Sequence, residues 1–241
     1  MKHLLANLIL IGATTLIAAP GKADDGVLIF GATRNTGLEI AKILVARGES
    51  VTAFVRPTSN LENLEPLDVD YFKGDATNAD DVHEAIASKD FKAIISTLGT
   101  SRGEKPPDLI GTRNMVDAAE KQGIGRLIVV TIIGPGKSIV MVPEAQRERM
   151  AWAIDIKDQA EQYIMASDLD YTIVRPGQLT SNPRSGIIKL SLEPAPTGPV
   201  TRGDLADVVV WTYDNEESVK KIYHVIGDDP LAKQRMGERG Q

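Results

Sequence analysis

Cysteine is absent from all 241 residues of the chain. Its absence excludes a thiolate nucleophile, a disulfide framework and any zinc or iron–sulfur site built on cysteine. Histidine is scarce, with three residues, and no metal-ligand spacing links His83 in a helical pattern to His224 in a late strand pattern. We therefore expect no bound metal, and we expect both histidines to be structural.

Basic tracts are also absent. Lysine and arginine number 27 against 33 acidic residues, for a formal net charge of −6. Without a basic patch or a basic–aromatic face, the sequence predicts no nucleic-acid partner. A hydrophobic content of 42% with 25% charged residues is typical of a globular chain, and the length suits one sizeable α/β domain.

The first residues differ in character from the rest of the chain. Lys2 precedes an apolar stretch over residues 4–19, and small residues follow it up to Ala23. This order is typical of a secretory signal, so residues 1–23 are predicted to be a signal peptide or an N-terminal anchor, and residues 24–241 a single domain. A cleaved signal implies an exported or periplasmic protein. If the segment is not cleaved, it would anchor the chain in a membrane. If it is instead a first strand of the domain, the protein would be cytoplasmic.

Short apolar, β-rich runs alternate with helical patterns along the rest of the chain. The strand pattern covers residues 27–30, 51–55, 69–72, 93–97, 127–131, 171–174 and 222–226. Between the runs, Leu38 begins a helix, Asn78 is placed to cap another, and Pro143 to open a later one. Nearly continuous apolar strands separated by helices predict a single-domain Rossmann-type α/β fold, a doubly wound parallel sheet flanked by helices.

A glycine-containing turn follows the first predicted strand. Gly31 and Gly37 hold the first and last positions of a dinucleotide-binding loop, while Arg34 or Asn35 replaces the middle glycine. Small residues let the backbone approach a pyrophosphate, and the next helix points free N–H groups at it. Asparagine tolerates a positive φ, so the turn is expected to survive. The predicted pyrophosphate-binding residues are Gly31, Thr33, Arg34, Asn35, Thr36 and Gly37; an ordinary strand–helix turn is the alternative.

The second predicted strand ends at an arginine. Arg56 lies about twenty residues beyond the loop, where an NAD site would carry an acid for the ribose hydroxyl. A guanidinium attracts a 2′-phosphate that an acid would repel. With Arg34 in reach from the loop, the sequence predicts NADP as the cofactor, against the alternative that Arg56 is a solvated surface residue.

Further motifs make the chain similar to a known family. They are GATRNTG (31–37), FVRP (54–57), Gly74-Asp75, ISTLG (95–99), GTRN (111–114) and LDYTIVRPG (169–177). Together they resemble the atypical short-chain dehydrogenases/reductases, nearest to the biliverdin-IXβ/flavin reductases and the NmrA-like NAD(P)-binding proteins. The resemblance implies cofactor contacts at the adenine (Asp75, Ala76), beside the cofactor (Leu98, Gly99) and near the nicotinamide (Pro176, Gly177).

The usual proton donor of the wider superfamily is missing. A tyrosine normally lies four residues before a lysine on one helical face, and here Lys157 is preceded at that distance by Ala153. Lys157 is predicted to bind the nicotinamide ribose, or else to pair at the surface with Glu161. Thr131 is the candidate for the serine position after the fifth strand, although Ile132 follows it.

A reductase can work without that tyrosine when its substrate is easily reduced. We therefore predict NADPH-dependent hydride transfer to a small conjugated acceptor, such as a flavin, quinone or tetrapyrrole-like molecule. The apolar segment 139–152, with Met141 and Trp152, is a candidate acceptor pocket, or else simply packs its helix on the sheet. The alternative function is a non-catalytic NADP-sensing or scaffold protein of the NmrA-like type.

Overall fold

The computed structural model describes residues 26–99, 105–194 and 198–227. The predicted signal or anchor segment, residues 1–23, lies outside these ranges. Among the residues that are described, no helix combines the length and the apolar character needed to cross a membrane.

Strands and helices alternate along most of the described chain. The strands are β1 (Val27–Phe30), β2 (Val51–Val55), β3 (Asp70–Lys73), β4 (Ala93–Ser96), β5 (Arg126–Val130), β6 (Asp170–Pro176), β7 (Leu179–Thr180), β8 (Ile188–Ser191), β9 (Val200–Thr201) and β10 (Lys221–Gly227). The helices are α1 (Asn35–Ala46), α2 (Ala79–Ala87), α3 (Pro107–Gln122), α4 (Glu144–Met165) and α5 (Arg202–Asp214). All seven predicted strands are present, within a few residues of the predicted ends.

The main sheet has the order β3-β2-β1-β4-β5-β6-β10-β8. Its pairs are parallel except that β8 runs antiparallel to β10, so the sheet is mostly rather than wholly parallel. The strand order reverses between β1 and β4, and in such sheets ligands bind in the crevice that opens there at the carboxyl ends of the strands.

The two sides of the sheet are covered by different helices. Val27 and Ile29 of β1 pack in the cluster that holds α1 and α5, whereas Leu28 and Phe30 pack in the cluster that holds α2, α3 and part of α4. This alternation follows from the two-residue repeat of a strand. The doubly wound α/β fold predicted from the sequence is confirmed.

Helix α5 and the strands β7, β8 and β9 were not predicted. Helix α5 buries residues on several sides, including the β-branched run Val208, Val209 and Val210, and so lacks a clear helical period. Thr201 caps it by accepting from the backbone N–H of Asp204 at 3.0 Å. The strand β8 is an edge strand of half-buried residues, for which an apolar pattern is weak.

A partly buried polar network ties β5 to β6 at their amino ends. Arg126 donates to Thr172 Oγ1 at 2.9 Å and to Ser218 Oγ at 2.8 Å. The same guanidinium donates to the carbonyl oxygens of Asp170 and Thr212, each at 2.6 Å. Arg126 thus joins both strands to the end of α5.

A second network, whose side chains are buried, ties the same strands near their carboxyl ends. Glu161 of α4 is fully buried and receives hydrogen bonds from both Nε and Nη2 of Arg175 in β6. Arg175 Nη1 lies 3.4 Å from Nε2 of His224, which pairs with it across β6 and β10. Because arginine can only donate, Nε2 of His224 accepts and the imidazole is neutral. Burial, with the charge of Arg175 acting in the same direction, lowers the pKa of His224.

The lowered pKa of His224 makes stability depend on pH. As the pH falls below about 6.5, the unfolded chain takes up a proton at this histidine that the folded chain does not, so the wild type should lose stability. In His224→Gln, whose amide can still accept from Arg175, that contribution is absent. Denaturant unfolding from about pH 8 to about pH 5 should therefore show the free energy of unfolding of the wild type falling relative to that of the variant. A constant difference would contradict the prediction.

Candidate functional site

The turn after β1 brings α1 so close to the sheet that only glycine fits at two positions. A Cβ on Gly37 would lie 2.3 Å from the carbonyl oxygen of Gly31 and 2.7 Å from Oγ1 of Thr97. Gly31 has a φ of 89°, and a Cβ there would lie 2.6 Å from the same hydroxyl. Thr97 follows β4, so the turn packs at the reversal point of the strand order.

The first turn of α1 has the features of an anion site. Arg34 is the N-cap in an extended conformation, and its side chain makes no capping hydrogen bond. Asn35 has a φ of 56°, a positive value that asparagine tolerates better than most residues, so of the two candidates for the middle glycine it is Asn35 that takes this conformation. Both side chains are exposed, while Thr36 and Gly37 are buried. The N–H groups of a helix end without a side-chain cap fit a pyrophosphate, so the residues present suit the expected dinucleotide.

The loop after β2 lies beside this turn, and the loop after β3 lies one strand further out. Arg56 is exposed directly after β2, which pairs with β1 in parallel. The carboxylate of Asp75 accepts from the backbone N–H and the hydroxyl of Thr77, at 2.9 Å each, and the backbone N–H of Asp75 donates to Asp81 at 2.7 Å. Asp75 therefore holds a rigid turn at the start of α2, at the edge where the resemblance places the adenine.

A glycine of α3 lets the loops after β3 and β4 approach each other. A Cβ on Gly111 would lie 2.9 Å from Leu98 Cδ1 and 3.1 Å from the Cβ of Ala76. Asn114, one turn later, donates to the carbonyl oxygen of Ala76 at 2.9 Å. The structure thus brings together two predicted cofactor contacts, Ala76 and Leu98, and the exposed Gly99 follows Leu98.

Lys157 is buried, which contradicts the alternative of a surface pair with Glu161. Its ammonium donates to the carbonyl oxygen of Leu98 at 3.0 Å and forms an ion pair with Asp108 Oδ2 at 3.3 Å. Both side chains are nearly inaccessible, at 6% and 1% exposure. Burial lowers the pKa of Lys157, while the charge of Asp108 opposes the shift. An ammonium carries three donors, and these contacts engage two of them.

Thr131 is held by a partner on α4. Its hydroxyl donates to Glu161 Oε1 at 2.6 Å, and its backbone N–H donates to the carbonyl oxygen of Val174 at 2.9 Å. A hydroxyl has one proton, so Thr131 can only accept on its other side. Burial raises the pKa of Glu161, against the hydrogen bonds from Arg175 and Thr131. Thr131 is therefore arranged as an acceptor and not as a proton donor.

The predicted nicotinamide segment, Pro176 and Gly177, comes directly after Arg175 in the chain. Pro176 ends β6 and is buried, Gly177 is half-buried, and the backbone N–H of Ile133 lies 3.3 Å from the carbonyl oxygen of Pro176. The loops after β5 and β6 are therefore joined at the carboxyl edge of the sheet.

The candidate acceptor segment 139–152 is divided between two roles. Its first residues belong to a 3₁₀ turn, Gly136–Met141, in which Val140 is 62% exposed. Trp152 packs against the small cluster of Leu109, Ile156 and Ala160 between α3 and α4. The packing interpretation thus holds for Trp152, whereas Val140 is available to a ligand or to solvent.

Sequence reasoning missed Thr97 and Asp108 as members of the site, and it missed that Glu161 is buried. Asp108 lies outside the quoted motifs, and Thr97 lies within ISTLG (95–99), but neither position indicates its contact, because the partners come from distant parts of the chain. Glu161 did carry a signal. It shares a helical face with the apolar residues Ile154 and Ile164, and that period indicates burial.

Comparison with known proteins agrees with this geometry. A family model described as NAD(P)H-binding matches residues 31–216. Among solved structures, the chain is similar to ChuY, an anaerobilin reductase from Escherichia coli O157:H7, with a TM-score of 0.76 and 30% identity, over 84% of this chain and 97% of that one.

Two relatives by sequence extend the comparison. The chain is 30% identical over 232 residues to an uncharacterized chloroplastic protein of Arabidopsis thaliana, covering 88% of this chain and 82% of the relative. It is 25% identical over 198 residues to sanguinarine reductase of Eschscholzia californica, covering 78% and 69%. With the glycine turn at the strand reversal and the family match along most of the chain, the protein belongs to the NAD(P)H-binding family, as an atypical short-chain dehydrogenase/reductase.

Proposed function

We propose that the protein is an NADPH-dependent reductase that transfers hydride to a small conjugated acceptor such as a flavin, a quinone or a linear tetrapyrrole. The observation that carries the proposal is a cofactor turn that keeps its first and last glycines, in a chain where Ala153 stands at the position of the tyrosine acid. Two of its relatives are named as reductases, ChuY and sanguinarine reductase, and both support this reaction class.

The residues of the site suit positioning better than acid–base chemistry. When bound, reduced nicotinamide supplies a hydride, and water supplies the proton to an acceptor that is already easily reduced. Lys157 is engaged by Asp108 and by the carbonyl oxygen of Leu98, and the proton of Thr131 is engaged by Glu161. These side chains are therefore assigned to orient the cofactor and the acceptor.

Turnover is the direct test. We expect the purified domain to oxidise NADPH in the presence of at least one flavin, quinone or linear tetrapyrrole. The loss of nicotinamide absorbance measures this oxidation. Gly37→Ala is the matched control, because its Cβ would meet the carbonyl oxygen of Gly31 at 2.3 Å and displace the turn. Oxidation that is unchanged in this variant would contradict the assigned site. Binding of NADPH without turnover of any acceptor would contradict the reductase.

The preference for NADPH is assigned to Arg56, with Arg34 of the cofactor turn as a second contact to the same phosphate. We expect Arg56→Ala to weaken NADPH binding roughly tenfold to a hundredfold, as for the loss of a charge-assisted hydrogen bond, and to leave NADH binding nearly unchanged. Titration of nicotinamide fluorescence measures both. Arg47→Ala is the control, since Arg47 lies at the other end of α1 and pairs with Asp214 at 2.6 Å. An equal loss for both cofactors would exclude a 2′-phosphate contact.

A non-catalytic NADP-sensing or scaffold protein is the second candidate. The replacement of the catalytic tyrosine by Ala153 favours it. This function predicts cofactor binding that changes the affinity for a protein partner, with no hydride transfer. The turnover experiment therefore separates the two candidates.

We also propose that residues 1–23 direct export of the domain. The apolar stretch after Lys2 and the small residues before Asp24 support this. Expression of the full chain in bacteria should give a periplasmic protein whose first residue is Asp24, which N-terminal sequencing would identify. A cytoplasmic protein that retains Met1 would contradict export.

A further inference from the structure

Helix α4 presents two buried charges to the sheet, one helical turn apart. Lys157 is 5% exposed and Glu161 is fully buried. A buried charge is costly unless it is paired and hydrogen-bonded. Each of the two must therefore hold its partners firmly. Apart from Asp108 of α3, which pairs with Lys157, these partners lie at the carboxyl edge of the sheet.

The contacts divide among three consecutive strands. Lys157 holds the carbonyl oxygen of Leu98 in the loop after β4. Glu161 holds the hydroxyl of Thr131 directly after β5 and the guanidinium of Arg175 near the end of β6. Together, the two charges fix the ends of β4, β5 and β6 relative to one helix.

These three strand ends lie on one side of the strand reversal. In a dinucleotide-binding sheet, the loop after β1 takes the pyrophosphate and the end of β2 takes the adenosine ribose. The nicotinamide half then extends to the other side, over β4, β5 and β6. Arg56 and Asp75 belong to the adenosine side, and Thr131 and Pro176 to the nicotinamide side.

We infer that Glu161 is a positioning residue for the nicotinamide half of the cofactor, acting through Thr131 and Arg175 rather than by contact. The inference rests on the proposed function, because it requires a dinucleotide in the cleft. The carboxylate fixes the hydroxyl proton of Thr131, so this side chain presents only an acceptor to the cleft. The same carboxylate holds Arg175, and with it the approach of Pro176 to the loop after β5.

The molecule contains a matched control for a purely structural role. Arg126 makes four hydrogen bonds that join β5, β6 and the end of α5, but at the amino ends of these strands. Its loss should lower the free energy of unfolding, because buried acceptors lose their donor. It lies away from the carboxyl edge, so its loss should leave ligand binding unchanged.

The test compares two ligands by titration with each purified protein. One is NADPH, and the other is an adenosine bisphosphate that carries the 2′-phosphate but no nicotinamide. We expect Glu161→Gln to weaken NADPH binding about tenfold and to leave the bisphosphate within about twofold of the wild type. Arg126→Met should reduce stability and leave both affinities unchanged. A structural role alone would not separate the two ligands.

Thr131→Val provides a second route should Glu161→Gln fail to fold. It removes the hydroxyl and keeps the pair of Glu161 with Arg175, and it should produce the same selective loss of NADPH affinity. In the variant that combines Glu161→Gln with Thr131→Val, the change at Glu161 should weaken NADPH binding by a smaller factor than it does alone. The reason is that part of its effect passes through Thr131. Equal losses for both ligands, or no loss in either variant, would overturn the inference.

Failure of the proposed function gives a different result. A wild type that binds neither ligand contradicts the cofactor itself and, with it, the positioning role, before any variant is made. A wild type that binds both ligands, with variants that do not separate them, overturns only the role of Glu161.

Discussion

The close contact between α1 and the turn after β1 determines where the rest of the site can lie. Gly37 sits against the carbonyl oxygen of Gly31 and the hydroxyl of Thr97, at distances that exclude any side chain. This contact directs the start of α1 at the reversal of the strand order. A larger residue at either glycine would move the helix away from the sheet, and the anion site and the loops around it would separate.

Buried charges organise the opposite half of the cleft. Lys157 and Glu161 each satisfy several partners that come from different parts of the chain. Replacing such a network with apolar residues is often neutral for stability, so stability alone does not explain charges here. Hydrogen bonds with defined directions hold loops in one arrangement, which apolar contacts do less well, and the proposed positioning role requires this.

The same arrangement explains how a member of this family can lack its tyrosine. The resemblance to the short-chain dehydrogenases/reductases implies a tyrosine one turn before Lys157, and here Ala153 leaves that place without a titratable group. Lys157 of α4 instead forms an ion pair with Asp108 of α3, between the two helices. In the proposed function, chemistry at this site depends on how easily the acceptor is reduced, which connects the missing residue to the proposed class of substrate.

The sequence by itself determined the local features of the protein: the seven main strands, the glycine turn, an asparagine suited to a positive φ within it, and the place of Arg56 directly after β2. Each of these follows from neighbouring residues, through alternation, turn chemistry or position relative to a strand. Only the tertiary structure decided the partners of Lys157 and Glu161, the place of Thr97 and Asp108, and the existence of α5 and the edge strand β8. Those depend on contacts between distant segments. A lysine and a glutamate four residues apart on a helix indicate a surface ion pair, but here both side chains are buried, and distant segments supply other partners for each.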